Sequence, residues 1–342
     1  MKIVHEINQL DFGGVERVVR NLIKFDKKNE HMIITYRDGN FRSELESVGA
    51  KIIVLKDELD TIDAEADLIH IHTGGGDSRL ARQVGHSFPV IETIHSPVRS
   101  VIPSEFIRQR IGVTKAVAKL NYDCEHIYNG LDIDELIESI TITPEELRAQ
   151  LGIPENALVV GRLGRLGRDK GIEEWLLAVY RAQMAGHNIW PVIVGAPSQQ
   201  DARYFGTLKL MAESLPVKNI KWIGHRTDIM NYLQIMDIFL YPSATEGFGL
   251  VFAEAMLAGC TVVTYKTDVT FELFAGYCIL TDKNIPALTE GLIKAINPGV
   301  RSSFIGLSNE FIKAEYQADR MSKQYQELYE RSVSDLNVTS RH

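Results

Sequence analysis

The sequence predicts an α/β protein of two doubly wound parallel sheets, on three observations. Short apolar runs rich in Val and Ile alternate with helical stretches, the pattern of parallel strands joined by crossovers. The alternation occurs twice, on either side of a charged, proline-bearing piece at 144–156. A chain of 342 residues exceeds one average core and suits two domains of roughly 150 to 190 residues each.

In the first half the expected strands are KIVHEI (2–7), HMIITY (31–36), KIIVL (51–55), DLIHIH (67–72) and PVIETIH (89–95), with a helix from about Val15 to Phe25 after the first. In the second half they are ALVVGRL, WPVIVGA, IKWIG, DIFLY and CTVVTY, with helices from Ile172 to Ala185 and from near Gly249. About Ser302 to Val333 is helical by pattern, and Tyr316, Met321, Tyr325, Leu328 and Tyr329 give it an apolar stripe. The expected domains are 1–150, 151–315 and a C-terminal helix at 316–342. Periodicity leaves open which domain that helix packs on.

Composition is ordinary for a globular protein, with 45% hydrophobic and 24% charged residues. The net charge of -8 is uneven: residues 1–145 hold 17 Lys+Arg against 24 Asp+Glu, and the remainder 20 against 21. Neither half has the basic excess of a nucleic-acid binder. Cys124, Cys260 and Cys278 are widely spaced without a CxxC pair, which suggests a reducing compartment and no metal cluster. MKIVHEINQLDFGG has charges and no apolar h-region. No signal peptide or membrane span is expected, and the expected location is cytoplasmic.

Tyr241 to Gly259 (YPSATEGFGLVFAEAMLAG) concentrates the chemistry. A buried strand ends at Pro242, and Gly247 and Gly249 let the backbone approach a ligand. The helix that opens at Gly249 aims unpaired N–H groups and its positive dipole end at that ligand, so an anion is the natural occupant. Glu254 is the only charged residue between Leu250 and Gly259, and vicinal sugar hydroxyls would satisfy its oxygens. Glu246 lies in the loop itself. The competing reading makes both ordinary acids near a helix start.

These residues resemble the retaining glycosyltransferases of family 4, which have the GT-B fold of two Rossmann-like domains facing across a cleft. The resemblance rests on Glu246 and Glu254 in a Glu-x7-Glu spacing, the preceding Pro-Ser, the Glu-Gly-Phe-Gly loop and the Glu-Ala-Met-x-Ala-Gly helix. It implies donor contacts from Glu246, Gly247, Phe248, Gly249, Leu250 and Glu254. Gly164-Arg165 with Lys170-Gly171 matches the family's Gly-Arg and Lys-Gly, implying that Arg165 and Lys170 neutralise the leaving diphosphate; Arg162 and Arg168 compete with them in register. Gly13-Gly14-Val15-Glu16 matches a Gly-Gly-x-Glu sequence at the donor, and His95 matches a strand-end histidine that faces the transferred sugar. The family's C-terminal helix crosses back to the first domain. Where the family often has Gly-Gly, this chain has Thr270 and Phe271, which leaves the donor sugar open.

The resemblance implies transfer from a nucleotide diphosphate sugar, with a UDP- or GDP-sugar expected first, to a hydroxyl of a glycan, lipid-linked or small-molecule acceptor. The nucleotide-sugar is a substrate, and no cofactor or essential metal is expected. Alternatives are a GT-B sugar-nucleotide epimerase and a non-catalytic nucleotide-sugar-binding partner. Two metal patterns are set aside: Asp132-x-Asp134, which belongs to the family's Asn-Gly-x-Asp turn (Asn129 to Asp132), and His70-x-His72, which share a strand face and could hold zinc with His95 as third ligand. Arg17, Arg20, Lys24 and Lys27 on the first helix, with Arg99, Arg108, Arg110, Lys115 and Lys119, are either a solvated face or a weak peripheral contact with the inner face of a membrane.

Overall fold

The computed structural model describes residues 1–55, 66–197 and 201–339. Seven strands form one sheet: β1 (Lys2–Ile7), β2 (Glu30–Thr35), β3 (Lys51–Val54), β4 (Leu68–Thr73), β5 (Val90–Ile94), β6 (Gln109–Gly112) and β7 (Cys124–His126), in the order β3-β2-β1-β4-β5-β6-β7. Six more form a second: β8 (Leu158–Leu163), β9 (Ile189–Val194), β10 (Lys221–Gly224), β11 (Ile238–Tyr241), β12 (Thr261–Tyr265) and β13 (Ile279–Thr281), in the order β10-β9-β8-β11-β12-β13. Every pairing is parallel. This is the doubly wound α/β architecture. In each sheet the winding reverses beside the first strand, between β1 and β4 and between β8 and β11. At such a point the loops leave the strand ends in opposite directions and open a crevice.

The second sheet shows why these runs become strands. Val160, Ile193, Ile238, Leu240 and Val263 are fully buried against Trp175, Leu176 and Val179 of the helix Ile172–Met184 and Leu288 and Leu292 of the helix Ile285–Ile296. The helical residues recur at three- and four-residue spacing, so one stripe of each helix faces the sheet. Each such side chain contributes roughly 1.5 to 3 kcal/mol of burial.

The chain divides into two compact units, Met1–Asp132 with the segment from Tyr316 onward, and Ile133–Glu315. The division falls at 132/133 and not at 150/151, because residues 141–150 are bound to the second unit. Arg148 donates to the Ala157 and Ile235 carbonyls and pairs with Asp237 at 3.1 Å. Asn231 accepts from the Thr141 amide at 2.9 Å, and Gln234 donates to the Ile142 carbonyl at 2.6 Å.

The C-terminal helix, Ala318–Thr339, packs on the first unit. Leu131 N–H donates to the Tyr316 carbonyl at 2.8 Å, and Ser322 donates to the Leu22 carbonyl at 3.0 Å in the helix Gly14–Phe25. The stripe Tyr316, Met321, Tyr325, Leu328 and Tyr329 is buried throughout. Residues 340–342 of the expected segment lie outside the described residues.

Three strands escape a reading by alternation. β6, β7 and β13 read QRIG, CEH and ILT, too short for a periodic signal. β6 carries Arg110, whose charge is tolerated inside because it meets Glu92 at 3.0 Å and the Ile102 carbonyl at 2.5 Å.

Truncating Tyr325, 1% exposed, tests whether the C-terminal helix belongs to the core of the first unit. Tyr325→Ala should cost about 3 to 5 kcal/mol in urea denaturation, whereas a loss below about 1 kcal/mol would place the helix outside that core.

Candidate functional site

In the second unit the loops after β8 and β11 rise from neighbouring strands, paired at Ile238↔Val160 and Phe239↔Gly161. Gly171 brings the loops into contact. It caps the helix Ile172–Met184 in the left-handed region at φ 60°, and a Cβ there would overlap the Pro242 carbonyl. Lys170 is thereby set beside Glu246, with Nζ 2.9 Å from Oε1. Burial works against the ammonium, but Glu246, Tyr241 and Asp169 outweigh it and hold its pKa above the ordinary lysine value.

The charges continue outward in alternation. Asp169 lies 3.4 Å from Lys170 and 2.6 Å from Arg165, and Arg165 also meets Asp201 at 2.9 Å. Arg165 is about half exposed, its charge favoured by both carboxylates against some burial. The competing arginines stand elsewhere. Arg162 is fully buried and lies over the Tyr241 ring at 5.2 Å, and Arg168 lies over the Tyr204 ring at 4.7 Å.

Gly247 and Phe248 are buried, Leu250 is partly buried, and Gly249 caps the helix Leu250–Leu257 with φ 78° and no side-chain cap. A helix start without a side-chain cap favours negative charge. Glu254 is buried one turn inside the helix, at 1% exposure. Thr270, which departs from the glycine pattern, closes a capping box with Thr267 at the start of the helix Asp268–Phe274, and Phe271 beside it is exposed under Lys266.

In the first unit Gly13 precedes the helix Gly14–Phe25, and the Glu16 carboxylate folds back over it. Burial, with Asp11 adding to it against a backbone hydrogen bond, pushes the Glu16 carboxyl up to about 7. His95 follows β5, with Nε2 3.1 Å from Nδ1 of His72, and burial pushes it down to about 3.

The ring atoms drawn together within 4.8 Å are those of His5, His70 and His72, not the set that includes His95. Both nitrogens of each already have partners. His70 meets Tyr329 and Thr93 at 2.7 Å; His5 meets His31 and His72; His72 meets His5 and His95. Sequence spacing did not reveal His5 or His31. The available signal was that five of the ten histidines stand in or at the end of the first sheet's apolar strands.

Asp132 pairs with Lys24 in the first unit, and Asp134 lies in the first turn of the helix Ile133–Glu138. Arg20 pairs with Glu44 at 3.4 Å and Arg110 with Glu92, so three of the cations considered for a membrane surface are held in ion pairs. Among the described residues no helix is long and apolar enough to cross a membrane.

A family model described as "Glycosyl transferases group 1" matches residues 144–323. The O-antigen biosynthesis glycosyltransferase WclY of Escherichia coli is 23% identical over 207 residues, 59% of this chain and 54% of the relative. This chain thus spans about half the length of that relative. A D-inositol 3-phosphate glycosyltransferase of Corynebacterium jeikeium is 32% identical over 143 residues, 40% of this chain and 34% of the relative. The crystal structure of Anabaena HepE in complex with UDP and glucose aligns with a TM-score of 0.81 and 22% identity, covering 97% of this chain and 100% of that one. At this identity the likeness speaks to the fold.

Two outcomes follow from the geometry. His5, His70 and His72, pushed well below the ordinary histidine value mainly by burial, and His95 stay neutral in the folded protein. The unfolded chain takes up protons there below about pH 6.5, so stability is full above that pH and declines below it by about 1.4 kcal/mol per pH unit for each histidine. Glu16 and Glu6, both raised mainly by burial, act oppositely, their contributions falling as pH rises above their unfolded values, but two carboxyls do not offset four histidines. The urea midpoint should therefore drop between about pH 7.5 and 5.5; an unchanged midpoint would show that the histidines are not buried neutral. Gly171→Ala, strained at positive φ and against Pro242, should lose about 1 to 3 kcal/mol in urea denaturation, and wild-type stability would contradict the loop contact.

Proposed function

The chain belongs to the group 1 glycosyl transferases and has the GT-B fold, and from that premise we propose that it is a retaining glycosyltransferase. It transfers a sugar from a nucleotide diphosphate sugar to a hydroxyl of a glycan, lipid-linked or small-molecule acceptor. A UDP-sugar is the first donor to test, since the HepE structure holds UDP and glucose, with GDP-sugars next. The Lys170–Glu246 pair at the switch point, next to the uncapped helix start at Gly249, carries this reading.

Lys170 and Arg165 are assigned to the donor diphosphate. Asp169, Asp201 and Glu246 pair with these cations, and an entering diphosphate takes over part of that compensation. As the glycosidic bond breaks, charge grows on the leaving phosphate, where a well-placed donor contributes about 3 to 4 kcal/mol. With two cations in that role, no metal ion is required. Glu254 is assigned to the ribose hydroxyls and Glu246 to the sugar; in the first unit, His95 and Gly13-Gly14 keep the sugar and donor roles that the family resemblance implies. No side chain is assigned as covalent nucleophile. The acceptor hydroxyl attacks the face from which the diphosphate leaves, and a leaving phosphate oxygen takes its proton.

Lys170→Ala and Glu246→Ala should each lower turnover by about 10²- to 10³-fold with circular dichroism unchanged. Normal turnover in either variant would sink the assignment, and an altered sugar nucleotide formed without acceptor would indicate an epimerase instead.

A further inference from the structure

Five histidines stand on one face of the first sheet. Ile3 pairs with His31, His5 with His70, and His72 with Thr93 across neighbouring strands. Residues two apart on a strand share a face, and the His95 amide extends the ladder to the Thr73 carbonyl at 2.8 Å. Four of the rings are joined end to end. His31 Nδ1 lies 3.0 Å from His5 Nε2, His5 Nδ1 lies 3.1 Å from His72 Nε2, and His72 Nδ1 lies 3.1 Å from His95 Nε2. At the far end His31 Nε2 lies 3.3 Å from Oδ2 of the buried Asp26, a charge contact.

A neutral imidazole donates from one nitrogen and accepts at the other. The tautomer of one ring therefore dictates every other ring in the row. With all protons on Nε2, the His31 N–H lies near the Asp26 carboxylate, an electrostatic contact outside hydrogen-bond geometry; with all on Nδ1, a lone pair faces that carboxylate. Asp26 is held as the anion: burial works against it, but His31, Asn29 and the Lys28 amide outweigh that and keep its pKa below the ordinary value. The first arrangement is therefore the stable one. The remaining groups facing the row do not compete for its nitrogens: His70 is engaged by Thr93 and Tyr329, and the Tyr325 hydroxyl meets Thr93 at 3.0 Å.

We propose that Asp26, acting through His31, His5 and His72, fixes His95 with its proton on Nε2, leaving Nδ1 of His95 as a permanent hydrogen-bond acceptor for a hydroxyl of the transferred sugar. Asp26, His31, His5 and His72 are positioning residues in this scheme. The burial that pushes His95 down to about 3 keeps that acceptor neutral. The inference rests on the sugar-facing role given to His95 above, and it adds a consequence for specificity. Donor analogues lacking that hydroxyl lose this partner.

Nitrogen-15 spectra of the histidine rings in the full chain at about pH 7 test the relay directly. His31, His5, His72 and His95 should each appear as the neutral Nε2–H tautomer. A proton on Nδ1 of His95, averaging between tautomers, or a stoichiometric metal ion on these rings would overturn the proposal. His31→Asn keeps an acceptor for His5 but severs the link to Asp26. It should release His95 into mixed tautomers and lower kcat by about ten- to a hundredfold, the range for partners that orient functional histidines, with KM for the acceptor unchanged. An unchanged His95 spectrum in that variant would refute the relay, and if the variant does not fold the wild-type spectrum still decides. Full activity in His95→Ala would overturn the assigned acceptor role separately, whatever the spectrum shows.

Discussion

The ion pair between Lys170 and Glu246 is the contact on which the candidate site depends. It links the two loops that leave adjacent strands of the second sheet, and it forms only because Gly171 lets one backbone rest on the carbonyl of Pro242. Both partners are largely buried, so removing either leaves an incompletely compensated charge, at a cost of a few kcal/mol. Asp169, Arg165 and Asp201 extend the pair toward solvent in alternating sign. An arrangement fixed in advance stabilises developing charge without reorganising during the reaction.

The first unit solves a different problem. Its sheet is as deeply buried as the second, yet one face carries a polar row where aliphatic side chains would pack at no electrostatic cost. Histidine rings that remain neutral and satisfy one another's nitrogens make that row tolerable, and Tyr329 and Thr93 complete the partners of His70. Here the C-terminal helix matters to the histidine row as well as to the core, since Tyr325 and Tyr329 bring hydroxyls from the far end of the sequence to that face.

Much of this was legible in the residues. Strand runs such as IVHEI, LIHIH and VVGRL, with the glycines at 171 and 249, announce doubly wound units whose helices open at glycine turns. The loop after DIFLY pointed to Glu246, and the cationic segment pointed to Lys170. Spacing did not show that Arg165 would be one carboxylate removed from Lys170, or that Arg162 would sink beneath Tyr241. Those outcomes depend on the register between strands, which local pattern does not encode. The same reason hid His5 and His31, which are 26 residues apart in sequence and meet only once β1 and β2 pair. The boundary at 132/133 was equally non-local, since it follows from Arg148 reaching Asp237 and Asn231 reaching Thr141.

Calorimetric titration with UDP, GDP and ADP, in the presence and absence of EDTA, tests most directly whether Arg165 and Lys170 form a diphosphate site. Binding of one nucleotide class with unchanged affinity in EDTA, together with its loss in Lys170→Ala, is the result the charge arrangement predicts. Absence of binding by all three, or binding that requires a divalent metal, would contradict it.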